Sequence, residues 1–422
     1  MMATLKITNT SKKIPELLAP AGGMEQLSYA LHFGADAVYL ACDKFGLRQR
    51  AQNFSLEDLP GAVELAHKHD ARVYVTCNAY AHDAELADLP HYAQALERAG
   101  VDAVIVSDLG VMKIIKENAP TVALHISTQA SVSNAWAAQA FYEMGARRIV
   151  CAREMSLAEI AQLKQNIPED MEVEVFVHGA MCMAISGRCL ISDYLTGRSA
   201  NQGHCVQPCR WGYTLEESSR PGQHFPIEED EAGTYLMNSK DLNMIEHLDE
   251  LVEAGVDSIK IEGRVKKAFY VATVVNAYRH VLDGDGKVDT WAKELDTISH
   301  RPYSTGFFFG PAEQSCSADI YMQRYDWVGE VISATQREDG RWDIQVYCRN
   351  RFYLGDTLEV LSPHQEIFAF SVDGLCEVFA EDAHVPCDVA NKAMGRYCLV
   401  CDKELFPHDI LRVMRKDPSR KN

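Results

Sequence analysis

Gly255-Val-Asp-Ser-Ile-Lys-Ile-Glu-Gly-Arg264 begins with a junction that the chain uses four times. The other copies are Gly34-Ala-Asp-Ala-Val38, Gly100-Val-Asp-Ala-Val104 and Gly145-Ala-Arg-Arg-Ile149. In each, a glycine that can take the left-handed conformation closes a helix, and a short apolar strand follows at once. Around these junctions, β-branched apolar runs predict strands at 16–19, 37–41, 72–78, 103–107, 123–127, 148–152, 172–178 and 258–262. Helical periodicity fills the spaces between them, for example at 24–33, 56–68, 85–99, 134–144 and 243–254. Eight strands that each feed a helix or crossover predict a TIM-like (β/α)8 barrel of the α/β class. A doubly wound open sheet is the competing fold, and no Gly-x-Gly-x-x-Gly follows any predicted strand to favour it.

The barrel is expected to occupy residues 1–310, with a long cysteine-bearing insertion at 179–243 after the seventh strand. In a barrel, an insertion at that point lies on the C-terminal rim, where active sites are built. Beyond residue 310 the texture changes to short strands at 328–334, 342–348, 357–361, 367–372 and 396–400. These predict a small all-β, barrel-like domain over 311–422.

Period-two alternation sorts the side chains of the last two barrel strands. Glu172, Glu174, Phe176 and His178 share one face of the seventh, and Lys260, Glu262 and Arg264 share one face of the eighth. Their valine and isoleucine neighbours suit the helix-packed outside, so the polar set is expected to point inward with His178 at its top. Asn78, His125, Ser127, Gln129, Arg153 and Glu154 join them from strands three, five and six. Buried charge is costly unless paired, so a polar mouth implies a polar ligand or catalysis. The alternative is a network that satisfies itself, with Lys260 closing on Glu262 or Glu174.

Within the insertion stand Cys182, Cys189, Cys205 and Cys209, separated by six, fifteen and three residues. Soft thiolates select zinc or iron–sulfur clusters. A four-cysteine zinc site usually shows two tight pairs, and only Cys205 and Cys209 are close here. The spacing therefore favours iron–sulfur over zinc, and unrelated buried thiols stay open as a third reading. Cys376, Cys387, Cys398 and Cys401 form a second group, set in an apolar strand pattern that suits core thiols.

The 422 residues contain thirteen cysteines, an odd count on a long chain, which suits reduced thiols better than a secreted disulfide framework. The opening residues lack a signal-peptide core and no run is long enough to cross a bilayer, so a cytoplasmic location is expected. A formal charge of −19 argues against non-specific nucleic-acid binding but permits a local basic site. Basic clusters occur at Arg48 and Arg50; at Arg188, Arg198 and Arg210; at Arg264, Lys266 and Lys267; and at Arg412, Arg415, Lys416, Arg420 and Lys421. Taken singly each suits a solvated face. Neither Gly-x-Ser-x-Gly nor His-Glu-x-x-His is present to mark a hydrolase.

Four stretches resemble the collagenase-like peptidases, group thirty-two of the unassigned peptidases. They are Glu16-Leu-Leu-Ala-Pro-Ala-Gly-Gly23, the run from Glu174 to Cys189, and Ser239-Lys-Asp-Leu242 with Ile259-Lys-Ile-Glu-Gly-Arg264. The resemblance covers nearly the whole chain, and the length and single barrel are similar to the family's tRNA hydroxylation branch. It implies a [4Fe-4S] cluster on Cys182, Cys189, Cys205 and Cys209. It also implies prephenate-dependent hydroxylation of the wobble uridine to 5-hydroxyuridine, with the tRNA anticodon loop as partner. Sister branches leave peptidase activity, an rRNA base or a ubiquinone precursor as alternatives. On that footing Arg153 and Arg264 are candidates for the dicarboxylate, with Asn78 and Gln129 beside them. His178, Glu262, Lys260 and Glu174 are the candidates for proton movement. Homodimerisation is left open.

Overall fold

The computed structural model describes residues 13–47, 53–181, 189, 191–208, 211, 214–216, 224–226, 240–284, 287–312, 323–379 and 383–415. The first half alternates β1 (Glu16–Pro20), α1 (Met24–His32), β2 (Ala37–Leu40), α2 (Leu59–Lys68) and β3 (Arg72–Cys77). Next come α3 (Asp83–Leu86), α4 (Leu89–Arg98), β4 (Ala103–Val106), α5 (Leu109–Asn118) and β5 (Ala123–Ile126). Then follow α6 (Ala135–Glu143), β6 (Arg148–Val150), α7 (Leu157–Gln165) and β7 (Glu172–Ala180). The insertion carries α8 (Ile191–Thr196) and the hairpin β8 (Thr214–Glu216) and β9 (His224–Pro226). Finally, β10 (Asp241–Asn243), α9 (Leu248–Glu253), β11 (Ser258–Ile261), α10 (Ala268–Asp283), α11 (Val288–Leu295) and β12 (Tyr303–Ser304) complete this part. β1 to β7 pair in parallel in chain order, and β11 pairs with both β7 and β1, closing the eight-stranded barrel.

The repeated junction has a structural cause. All four glycines hold positive φ, from 79° at Gly100 to 110° at Gly145. Two residues on, Asp36, Asp102 and Asp257 accept the backbone N–H of Leu17, Val73 and Val173 at 2.8, 2.7 and 2.9 Å. Each carboxylate thus fixes the start of the strand beside its own, at about 1.5–3 kcal/mol for a charge-assisted bond. Arg147 stands at the fourth such place.

The helices pack on the outside of the ring through one large apolar core that includes Leu27, Val38, Val75, Ile149, Val175 and Val274. Inside it, Leu18, Tyr39, Tyr74 and Ile105 form a small plug. A charged network lies with the plug. Arg148, 1% exposed, meets Glu16 at 2.6 Å, Glu172 at 2.7 Å and Glu174 at 3.1 Å, and Glu174 meets Lys260 at 2.8 Å.

Two expected helices differ from the structure. The run at 85–99 is two helices, because Pro90 begins α4 afresh in its first turn, where a missing N–H costs nothing. The run at 243–254 starts as β10, which lies antiparallel to the extended end of β7 and beside β12, and only later becomes α9. The C-terminal sheet has eight antiparallel strands. Beyond the five expected, Leu375–Val378, His384–Pro386 and Ile410–Met414 take part. Arg412 breaks the apolar pattern of the last of these. It is 1% exposed, so the solvated reading of the tail cluster is wrong for it: its guanidinium grips Glu294 of α11 and Glu359 of the sheet, tying the sheet to the barrel. Lys416, Arg420 and Lys421 lie outside the described residues.

Candidate active site

The C-terminal end of the barrel encloses a cavity of about 160 Å³. β11 delivers Lys260 to it, and the residues just beyond deliver Glu262 and Arg264. Thr76 enters from β3 and Asn78 from just beyond it, Ser127 and Gln129 from the turn after β5, Arg153 from beyond β6, and Phe176 from β7. The insertion closes one side with Cys189, Ala200, Gly203, Cys205 and Pro208. Residues predicted from separate strands and from the insertion thus meet around one space.

Both arginines are held in place. Arg264, 4% exposed, donates to Thr76 Oγ1 at 3.1 Å and to the Leu47 carbonyl. Arg153 lies over the Phe176 ring at 4.0 Å and donates to the Ala180 carbonyl at 3.0 Å. It also reaches Glu262 at 3.4 Å. Opposite, the Asn78 amide donates to Gln129 Oε1 at 2.7 Å and to Ser127 Oγ at 3.2 Å. Asn78 Oδ1 is then a buried acceptor without a partner among the described residues. Unsatisfied buried acceptors are uncommon, and this one belongs to a residue that lines the cavity.

Lys260 forms the floor, with Nζ 4.4 Å from the Tyr39 ring centroid and 2.8 Å from Glu174 Oε1. Burial lowers its pKa, and the attraction of Glu174 offsets only part of that. Glu174 itself lies beneath the cavity as the shared counter-ion of Lys260 and Arg148, so this pair closes on itself as the alternative reading of the strands allowed. Neighbouring His125, also buried, is held well below the usual imidazole range by burial and by Arg148 and Lys260.

His178 is not at the mouth. The β7–β11 register shifts by one residue, Lys260 facing Phe176 but Ile261 facing His178. A bulge of one residue turns all later side chains to the opposite face. His178 therefore packs outward, 1% exposed, among Tyr270 and Tyr278 of α10 and Tyr303 of β12. Burial drops its pKa to about 3, so the ring is neutral.

Cys189 and Cys205 are free, part-exposed thiols on the cavity wall. Asn201 holds the backbone of Cys189 from both sides, Oδ1 accepting its N–H and Nδ2 donating to its carbonyl, each at 3.0 Å. Nothing in the sequence pattern singles out Asn201. The Gln207 N–H donates to Cys205 Sγ at 3.4 Å, from a backbone at φ 57°. Cys182, Cys209, Arg48, Arg50, Arg188 and Arg210 lie outside the described residues. In the C-terminal sheet Cys376 faces Cys398 across two strands and Cys401 is buried, and no group of three metal-ligating side chains forms among the described residues.

A closed parallel barrel thus gathers two thiols and two arginines at one mouth. The model of peptidase family U32 matches residues 22–317, and that of the family's C-terminal domain matches 323–412. The chain belongs to peptidase family U32. Over 410 residues it is 38% identical to tRNA hydroxylation protein P1 of Bacillus subtilis (strain 168), covering 95% of both. It is 36% identical over 404 residues to tRNA hydroxylation protein P of Escherichia coli (strain K12), covering 84% of this chain and 87% of that one. A 23S rRNA 5-hydroxycytidine C2501 synthase of Escherichia coli (strain K12) is 40% identical over 268 residues, 64% of this chain and 39% of that one.

Proposed function

We propose that this chain hydroxylates the wobble uridine of tRNA at C5, giving 5-hydroxyuridine, with prephenate as co-substrate. A [4Fe-4S] cluster would be held by Cys182, Cys189, Cys205 and Cys209. One observation carries the reading: Cys189 and Cys205 share a single cavity with Arg153, Arg264 and the Asn78–Gln129 amide pair. The relatives of similar length support tRNA as substrate, and the rRNA relative supports oxygen placed at C5 of a pyrimidine.

The donor set suits the cluster. Both described thiols are part-exposed, and Cys205 already accepts a backbone N–H, the kind of bond that stabilises a thiolate and tunes a cluster's potential. When bound, the cluster supplies electron transfer beside the substrate. Arg153 and Arg264 are matched to the two carboxylates of prephenate, each fork already oriented by its neighbours. Asn78 Oδ1 accepts the uracil imino proton, with Gln129 fixing the amide's orientation. Glu262, held by Arg153, moves the proton at the ring carbon. Lys260 adds positive charge at the floor, and Glu174 positions it. A base that reaches so enclosed a space must leave its stack, which the anticodon loop makes cheap.

The test is anaerobic purification followed by metal and sulfide analysis. About four iron and four sulfide per chain, with a visible absorption that dithionite bleaches, are expected. Zinc without sulfide overturns the cluster, and gelatin hydrolysis by metal-free protein favours a peptidase instead.

A further inference from the structure

A second concavity, of about 580 Å³, adjoins the mouth and plays no part in the chemistry above. Its size falls within the range of roughly 300–1,000 Å³ common to ligand sites. Tyr80, His82, Arg198, Asn201, Gln202 and His204 face it. The two spaces share their walls. Along one segment, Ala200, Gly203 and Cys205 face the inner cavity while Ser199, Gln202 and His204 face the outer groove. From the end of β3 onward the division repeats, with Thr76 and Asn78 inside and Tyr80 and His82 outside. The Tyr80 N–H donates to the Asn201 carbonyl at 2.8 Å, joining the two segments at the groove floor.

We infer that this groove binds the RNA nucleotide next to the one whose base enters the mouth, with Tyr80 as its stacking platform. Tyr80 is 59% exposed, a large apolar ring left open at the edge of the groove. The His82 ring meets it at 5.4 Å in a T-shaped contact, and more than half of the Tyr80 surface stays open to a base. Such stacking tolerates any base, because every base has a π-face. Arg198 is exposed and makes no ion pair among the described residues, which suits a phosphate. Asp193 and Gln202 offer acceptors to a ribose hydroxyl, the group that marks RNA. The inference rests on the reading of RNA as substrate. It adds that neighbouring nucleotides occupy the two spaces on either side of the Ala200–Gln202 turn.

The test uses cluster-loaded full-length protein and a fluorescent anticodon stem-loop, with binding read by anisotropy at several salt concentrations. Tyr80→Ala is expected to weaken binding about 5- to 100-fold, and Tyr80→Phe to stay within about 2-fold of the parent. Arg198→Ala is expected to reduce the salt slope by about one. Iron content should be unchanged in all three. If the parent binds the stem-loop and Tyr80→Ala binds equally well, the groove assignment fails and the substrate reading stands. Loss of iron in Tyr80→Ala also overturns it, because the ring would then serve the cluster loop. If the parent binds no stem-loop, the RNA reading fails and the groove falls with it.

Discussion

Glu174 shows how charge is shared inside the barrel, since one buried carboxylate faces both Arg148 and Lys260. Removing it leaves two cations with too little countercharge. Glu174→Ala is expected to lower stability by about 3–5 kcal/mol, read as a lower urea midpoint. An unchanged midpoint would mean that the cations relax to solvent. At the mouth the expected effect is on activity. Arg264→Lys keeps the charge but loses the fork, and a tenfold or greater rise in the prephenate concentration needed for half-maximal modification is expected. A requirement unchanged from the parent would move the carboxylate site elsewhere. Lys260 was legible from alternation within β11, and Glu262, Arg264 and Asn78 from the same phase carried just past their strand ends, whereas Gln129 reaches the cavity from a turn after β5. Asn201 was not legible, because an amide that clamps a loop backbone leaves no periodic trace.

Among the elements, β7 carries the main correction. Its bulge moves His178 from the mouth to the aromatic layer under α10, and period two cannot reveal an inserted residue. The consequence appears as pH dependence. The folded ring titrates near 3, against an ordinary 6.5. Between those values the unfolded chain binds a proton that the folded chain refuses, so this contribution is fully present above about 6.5. It is lost as pH falls toward 3, at about 1.4 kcal/mol per pH unit. Urea midpoints measured from pH 7 to 5 should fall, and His178→Gln should reduce that slope by about one proton. Equal slopes would place the sensitivity on other groups. The eight barrel strands were readable because each follows a glycine junction, carries a mainly apolar run or, in β7, alternates with period two. β10 and β12 were not, being only three and two residues long and defined by pairing at the end of β7.

At the scale of the molecule, the C-terminal sheet packs on the barrel through a buried ion pair, an aromatic contact and a part-exposed ion pair. Besides Arg412, Tyr29 of α1 meets Trp327 edge-on at 5.2 Å, and Arg349 bridges Glu25 of α1 at 2.7 Å. Arg412→Ala leaves Glu294 buried without its partner. It is expected to loosen the docking, giving faster proteolytic cleavage between barrel and sheet; cleavage at the parent rate would contradict that role. Composition located the β-rich region, while its eight-stranded order depended on pairings far apart in the chain. The proposed hydroxylation of tRNA is read without intermediaries by nucleoside mass spectrometry of tRNA from a deletion strain. Loss of 5-hydroxyuridine and its derivatives is expected, with restoration by the parent chain and none by Cys205→Ala. Unaltered wobble nucleosides in the deletion strain, or full restoration by Cys205→Ala, would contradict the account.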